Sequence, residues 1–323
     1  MKALVFDKKL QYIDNYPEPG RKDEKEVLVE VKIAGICNTD IEITKGFMGF
    51  KGVLGHEFVG IIRDSINPRS WGRRVAGEIN CTCGRCRYCS MGRKNHCINR
   101  SVLGILNRDG AFAEYLTLPE ENLYYLPDSI DDEEGVFIEP LAAAFRITEQ
   151  IKFKPGDKIV LLGDGKLGLL IANVLYRKGC NILVIGKHPK KLAVLQKFSI
   201  RGELVDDIKE KVGVADVVIE ATGSPEGIKM AMQLVKPEGK ILLKSTISRY
   251  NDIDISSLVI NEVTIIGSRC GSFKRAIDAL RKKEIDVKPL ISSVYPIEEG
   301  IEAFKEAVSN RDSIKVMIRM KSS

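Results

Sequence analysis

The sequence predicts an α/β protein, a doubly wound parallel sheet joined to a mainly β domain. Three observations carry this reading. Strand-like and helix-like patterns alternate from near Phe137 to about residue 268. A glycine-rich turn, GDGKLG at 163–168, follows the first of those strands and opens the first of those helices. The first 135 residues instead hold short apolar runs broken by glycine, proline and charge.

The chain has 323 residues, 44% of them hydrophobic, enough for one large or two ordinary cores. A metal is therefore not needed merely because the core is too small. Fifty basic and 44 acidic residues give a formal charge of +6, well interspersed, which argues against a nucleic-acid partner. The opening MKALVFDKKLQYIDN has too short an apolar run for a secretion signal. No run of about 18 apolar residues reads as a membrane span. No membrane partner is expected, and the expected compartment is a reducing cytoplasm, where clustered cysteines more often bind metal than form disulfides.

In the first region, VLVEVKIAGI at 27–36 nearly alternates, VGII at 59–62 does so loosely, and AFAEYLTL at 111–118 reads as another strand. Residues 141–150 then look helical, and FKPGD at 153–157 is a turn. KIVLLG is a buried strand, KLGLLIANVLYRKG a helix, NILVIG at 181–186 a second strand and PKKLAVLQKF the next helix. A short third strand is expected at 204–205 and a fourth at 215–223, followed by the helix PEGIKMAMQLV. KILLKS at 240–245 and EVTIIGS at 262–268 complete a series that predicts right-handed parallel βαβ units. From about 272 the pattern changes to helix, extended segment, helix and the final strand SIKVMIRM. This tail is expected to return to the first domain.

In GDGKLG, Gly163, Gly165 and Gly168 match G-x-G-x-x-G in the strand–turn–helix context of a Rossmann dinucleotide site. Gly163 permits the tight turn, Gly165 the approach to a pyrophosphate and Gly168 close helix–strand packing. N–H groups at the helix start, from Lys166 and Leu167 onward, face phosphate charge. Thr222 and Gly223, at the end of the expected fourth strand, join the cofactor candidates. An NAD site usually places an acid at the end of the second strand. Here VIGKHPKK puts Gly186 there, with Lys187, Lys190 and Lys191 following and no acid nearby in sequence. That favours NADP(H), with NAD(H) possible and solvent-facing lysines the plainer alternative. His188 reads either as a contact to adenine or phosphate or as a surface histidine.

Five of the eight cysteines lie within CTCGRCRYCSMGRKNHC, residues 81–97. Cys83, Cys86, Cys89 and Cys97 suit a closed tetrahedral zinc site, with Cys81 left over on the strand leading in. An iron–sulfur site is disfavoured because no fourth C-P follows three residues later. A nucleic-acid finger lacks a recognition helix, and for a redox dithiol no C-x-x-C opens a helix beside a thioredoxin-like strand. A closed site does no chemistry, so chemistry needs another place. Cys37 in ICNTD, His56 in GHE and Glu139 in FIEPL form a candidate zinc triad with an open position. On spacing alone it stands beside a plainer reading: a core cysteine, an ordinary turn and a helix start.

ICNTD, GHEFVG, GEINCTCGRCRYC, the following NHC, GAFAEY, FIEPLA and GDGKLG, in this order, resemble the zinc-containing medium-chain dehydrogenase/reductase family almost end to end. That family includes alcohol, sorbitol and threonine dehydrogenases. The resemblance implies a GroES-like catalytic domain over 1–139 with a structural zinc lobe at 81–100. It implies a Rossmann domain over 140–271 and a return over 272–323 that completes the first domain, with the active site in the cleft between the two domains. It implies one structural zinc on Cys83, Cys86, Cys89 and Cys97. It also implies one catalytic zinc on Cys37, His56 and either Glu57 or Glu139. Asp40 resembles the carboxylate that orients the histidine ligand, and Thr39 the hydroxyl that receives the alcohol proton. Many relatives carry a relay histidine five residues past the cysteine; this chain has Glu42.

The implied reaction is hydride transfer between an alcohol carbon and the nicotinamide, with zinc acidifying the alcohol and Thr39 taking its proton. An alcohol or ketone, polyols included, is the expected substrate. Loops 43–54, 101–110 and 270–295 are expected to line its pocket, with Asn107, Arg108 and Arg269 as polar candidates. Arg269 is alternatively a cofactor residue. A homodimer or homotetramer is expected, through the edge strand near 262–268. The rival reading from another class is a non-catalytic NADPH-binding scaffold that retains the fold. A zinc-independent quinone reductase is disfavoured because such relatives lack both cysteine sets.

Overall fold

The computed structural model describes residues 1–208, 213–247 and 253–320; the last three residues of the expected tail lie outside them. The chain divides into two units. One comprises Met1–Glu139, Ala276–Lys282 and Ile291–Ser323, the other Pro140–Arg275 and Lys283–Leu290.

In the first unit the longest strand is Glu26–Gly35, which buries Val27, Val29, Val31, Ile33 and Ala34 along with Glu26 and Glu30. It pairs antiparallel with three partners: Glu57–Asp64, Tyr115–Pro119 along its first half, and Lys315–Arg319 along its second. The final strand predicted from SIKVMIRM therefore lies beside a strand nearly 300 residues earlier, with Met317 opposite Gly35. Arg74–Gly77, Leu123–Tyr125 and Ile291–Pro296 complete the seven-stranded sheet. Of AFAEYLTL only the last four residues lie in a strand, Tyr115–Pro119; Ala113 makes a single bridge to Ala3. The N-terminal hairpin Ala3–Asp7 and Lys9–Ile13 had no clear alternation to announce it, and turns at Lys8 with φ 63°.

The second unit holds a six-stranded, wholly parallel sheet. Its strands are β1 (Ile159–Leu162), β2 (Ile182–Gly186), β3 (Arg201–Leu204), β4 (Ala215–Glu220), β5 (Val235–Leu243) and β6 (Thr264–Gly267). Their spatial order, β3-β2-β1-β4-β5-β6, is the doubly wound order of dinucleotide-binding sheets. Helices α1 (Lys166–Arg177), α2 (Pro189–Gln196) and α3 (Glu226–Leu234) supply crossovers, α1 burying Leu169, Leu170, Ile171 and Val174. The third strand is longer than its sequence signal, because Arg201–Leu204 takes its register from β2 rather than from its own apolar residues. Among the described residues, no helix is long and apolar enough to cross a membrane.

Candidate metal centres and dinucleotide site

Gly35 ends the long strand, and Cys37 then caps the helix Asn38–Thr44. The Cys37 backbone N–H donates to Asp40 Oδ2 at 2.8 Å, so the cysteine is fixed by the first turn of its own helix. Asp40 is fully buried, and its other oxygen accepts from Gly55 N–H at 3.2 Å. His56 Nδ1 lies 3.2 Å from that oxygen, in ion-pair range but without hydrogen-bond alignment. Asp40 thus ties the helix start to the GHE segment. Gly55 has φ 94°, and a Cβ there would come within 2.8 Å of the Phe112 ring, so this turn requires glycine.

Ligand atoms of Cys37, His56 and Glu57 all lie within 4.8 Å of one another. Burial drives His56 toward its neutral form, but Asp40 and Cys37 outweigh this and raise its pKa well above the ordinary value. Glu57, 1% exposed, is paired with Lys315, which is fully buried. Gly35 makes room for that pair: a Cβ there would lie 2.9 Å from Glu57 Oε2 and 3.2 Å from Lys315 Cδ. Glu139 does not join the 4.8 Å group. It keeps partial solvent access, yet desolvation pushes its carboxyl up to about 7, with His56 opposing and Glu57 adding to the rise. Thr39 is half-buried, whereas Glu42 is buried and paired with Lys45 at 2.9 Å.

Cys83, Cys86, Cys89 and Cys97 form a second group of ligand atoms. Sulfur–sulfur separations are 3.5 Å for Cys86–Cys89, 3.8 Å for Cys86–Cys97 and 3.5 Å for Cys97–Cys83. A tetrahedron with zinc–sulfur bonds of about 2.3 Å has edges of about 3.8 Å, and a disulfide needs about 2.05 Å. The four sulfurs therefore fit zinc, and all eight cysteines are free thiols. Backbone N–H groups of Cys89 and Ile98 pull Cys86 down to about 6, while burial pushes Cys89 up to about 11. Cys81 stands outside the group on the short strand Asn80–Cys81, its thiol raised to about 11 by burial.

In the second unit the glycine turn takes the form its motif predicts. Gly163 has φ 112°, and a Cβ there would come within 2.7 Å of the Ala221 carbonyl carbon beyond β4. Gly168 packs against Gly163 with no room for a side chain, and Gly165, at the start of α1, faces open space. Lys166 and Leu167 form the first turn of α1. Buried Glu220, unremarked in the sequence, accepts from Thr222 N–H at 2.8 Å, the Thr222 hydroxyl at 2.6 Å and the Ser245 hydroxyl at 3.0 Å. Ser245 in turn accepts from Gly223 N–H at 2.8 Å, so one carboxylate shapes the Thr222–Gly223 loop.

Two sequence expectations are corrected. An acid does lie at the end of β2: Asp164, from the variable position of the glycine turn, accepts from the backbone N–H groups of Lys187 and His188. The motif treats that position as free, so it gave no signal. Arg108, expected at the substrate pocket, is instead engaged within its own unit. Its guanidinium turns inward to Glu26 at 2.7 Å and to the Thr117 carbonyl at 2.9 Å. Asn107 is exposed with φ 53°, Lys187 and Arg269 are exposed, and Lys191 is half-buried.

Residues 23–128 match the family model of the alcohol dehydrogenase GroES-like domain, and 133–320 that of the glucose dehydrogenase C-terminus. The chain is 29% identical to a sorbitol dehydrogenase of Halalkalibacterium halodurans over 98% of this chain and 99% of that one. Among solved structures, one described as a short chain alcohol dehydrogenase (rspB) from Escherichia coli CFT073, complexed with NADH, has a TM-score of 0.88 at 28% identity, with 99% of each chain covered. A Sinorhizobium meliloti 1021 structure bound to NADP has a TM-score of 0.86 at 27% identity, also with 99% of each chain covered. With two matched family models, two cysteine-containing ligand groups and the doubly wound strand order, the chain belongs to the zinc-containing medium-chain dehydrogenase/reductase family and is an oxidoreductase of the alcohol dehydrogenase type.

Proposed function

We propose that the chain is a zinc-dependent dehydrogenase that moves hydride between an alcohol or polyol and a nicotinamide dinucleotide, with NADP(H) preferred over NAD(H). The observation that carries this is the convergence of half-buried Cys37 with buried His56 and Glu57, their ligand atoms within 4.8 Å of one another. One soft sulfur, one imidazole and one carboxylate suit a zinc site with an open position. Zinc held there acts as a Lewis acid that lowers the pKa of an alcohol. Glu57 is the preferred third ligand, and Glu139, sharing its electrostatic surroundings, is the alternate. Asp40 orients His56, and Thr39 takes the substrate proton. Cys83, Cys86, Cys89 and Cys97 hold the structural zinc.

The NADP(H) preference is supported by Gly186 at the end of β2 and by the basic residues Lys187, His188 and Lys191 after it. Gly163, Gly165, Lys166, Leu167 and Gly168 take the pyrophosphate. A homodimer or homotetramer is supported by the edge position of β6 and by the exposed Ile255, Val259 and Ile260 that precede it. Eight free thiols fit a cytoplasmic location.

Metal analysis combined with turnover is the test. Wild type should carry about two zincs per chain, and Cys37→Ala about one, with no turnover and the fold retained. A panel of alcohols, polyols, sugars and amino-alcohols, each with NAD and NADP, assigns the substrate. One zinc in wild type and no turnover on any of them would establish the NADPH-binding scaffold instead.

A further inference from the structure

Asp164 is 5% exposed and sits one residue past Gly163 in the turn after β1. Its Oδ2 accepts from Lys187 N–H at 2.8 Å and from His188 N–H at 2.7 Å. The His188 ring places Nδ1 2.9 Å from Oδ1 and 3.1 Å from Oδ2. An ionised carboxylate only accepts, so Nδ1 carries the proton in this contact and Nε2 is left to meet another group. Gly186 completes the arrangement. A Cβ there would lie 2.6 Å from both Cβ and Cγ of Asp164, and would also collide with Oδ2. Asp164 therefore fills the space that an acid on β2 needs. The carboxylate that an NAD site turns toward the ribose is here turned toward three N–H donors of the chain itself.

We propose that Asp164 is the positioning residue for cofactor discrimination: it holds His188 through Nδ1 so that Nε2 meets the 2′-phosphate of NADP(H), and it bars a ribose-reading acid from position 186. This rests on the NADP(H) preference proposed above. Between the Asp164 carboxylate and a phosphate, an imidazole carrying a proton on each nitrogen donates to both, giving charge-assisted bonds on each side. The exposed Lys187 and the half-buried Lys191 add positive charge on the same turn and on α2.

Asp164→Asn separates this role from a merely structural one. The amide oxygen, placed as Oδ2, still accepts both backbone N–H groups, so the turn persists. The amide nitrogen then faces Nδ1 where the carboxylate oxygen stood at 2.9 Å, and it cannot accept the ring proton, so the charge-assisted contact is lost. The full-length wild type, Asp164→Asn, His188→Gln and the double variant are titrated with adenosine 2′,5′-bisphosphate and with 5′-AMP. Their kcat/KM values are measured with NADPH and NADH. The expected result for Asp164→Asn is about a tenfold loss of bisphosphate affinity and an equal fall in the NADPH/NADH ratio. Affinity for 5′-AMP and kcat/KM with NADH should stay within about twofold. His188→Gln should lose bisphosphate affinity to the same degree, and the double variant should lose no more, because both changes break one linked contact. An equal loss on both nucleotides would make Asp164 only a structural brace and overturn the proposal. A wild type that prefers NADPH with an unchanged ratio in Asp164→Asn overturns this proposal alone. A wild type that prefers NADH, with no tighter binding of the bisphosphate, overturns the NADP(H) reading and this inference with it.

Discussion

Replacing Lys315 by methionine tests how the Cys37–His56–Glu57 group is built. Lys315 opens the strand Lys315–Arg319 with no solvent exposure, and its ammonium pairs with Glu57, itself 1% exposed. It also lies 5.6 Å from the Phe137 ring centroid. Methionine keeps most of the volume and removes the charge. Glu57 then becomes a buried carboxylate without its cation, a change that costs about 3–5 kcal/mol. That corresponds to strand amides opening roughly two to three and a half powers of ten more often. Hydrogen exchange along Glu26–Gly35 and Lys315–Arg319 reads this directly, since these strands pair beside Gly35. The penalty should be largest after chelation and smaller with zinc supplied, because zinc held at the proposed site would give Glu57 a second cation. Adding Glu57→Gln should recover most of the loss, because removing both charges costs far less than removing one. Exchange less than about tenfold faster in the chelated single variant, or a double variant no better than the single, would refute the pairing as the source of stability.

Two further outcomes follow from the same geometry. Cys89→Ala should lower zinc content by one per chain and expose the 81–100 lobe to trypsin, which its many basic residues make sensitive; unchanged zinc content would sink the four-sulfur assignment. Arg108→Ala strips a cation from buried Glu26 and should cost about 3 kcal/mol in denaturant unfolding while leaving substrate KM within about twofold; a large KM change with unaltered stability would return Arg108 to the substrate pocket.

Features carried by a short run of neighbours were legible in the chain itself. The C-x2-C-x2-C spacing and its later cysteine lie within one short loop, and the fold does bring the four sulfurs together. The glycines of GDGKLG are needed by the backbone of a single turn, and Gly163 and Gly168 meet the constraints expected of them. Alternating strand and helix patterns predicted the parallel sheet because each βαβ unit is local. Less was legible where periodicity was weak, as in the Ala3–Asp7 hairpin and the short helix Ile255–Ile260. Side-chain pairing across distance belonged to the tertiary structure alone. The residues by themselves suggested Glu139 and the family resemblance admitted either Glu57 or Glu139, whereas packing brought only Glu57 into the tight ligand group, against Lys315 from 258 residues away. Arg108 looked available to substrate until the fold turned it onto Glu26. Asp164 sat unread in a motif's free position until β2 was laid parallel to β1, which set its carboxylate under Lys187 and His188. A sequence lists charges; only the register of its strands decides which of them meet, and burial decides how much each meeting matters.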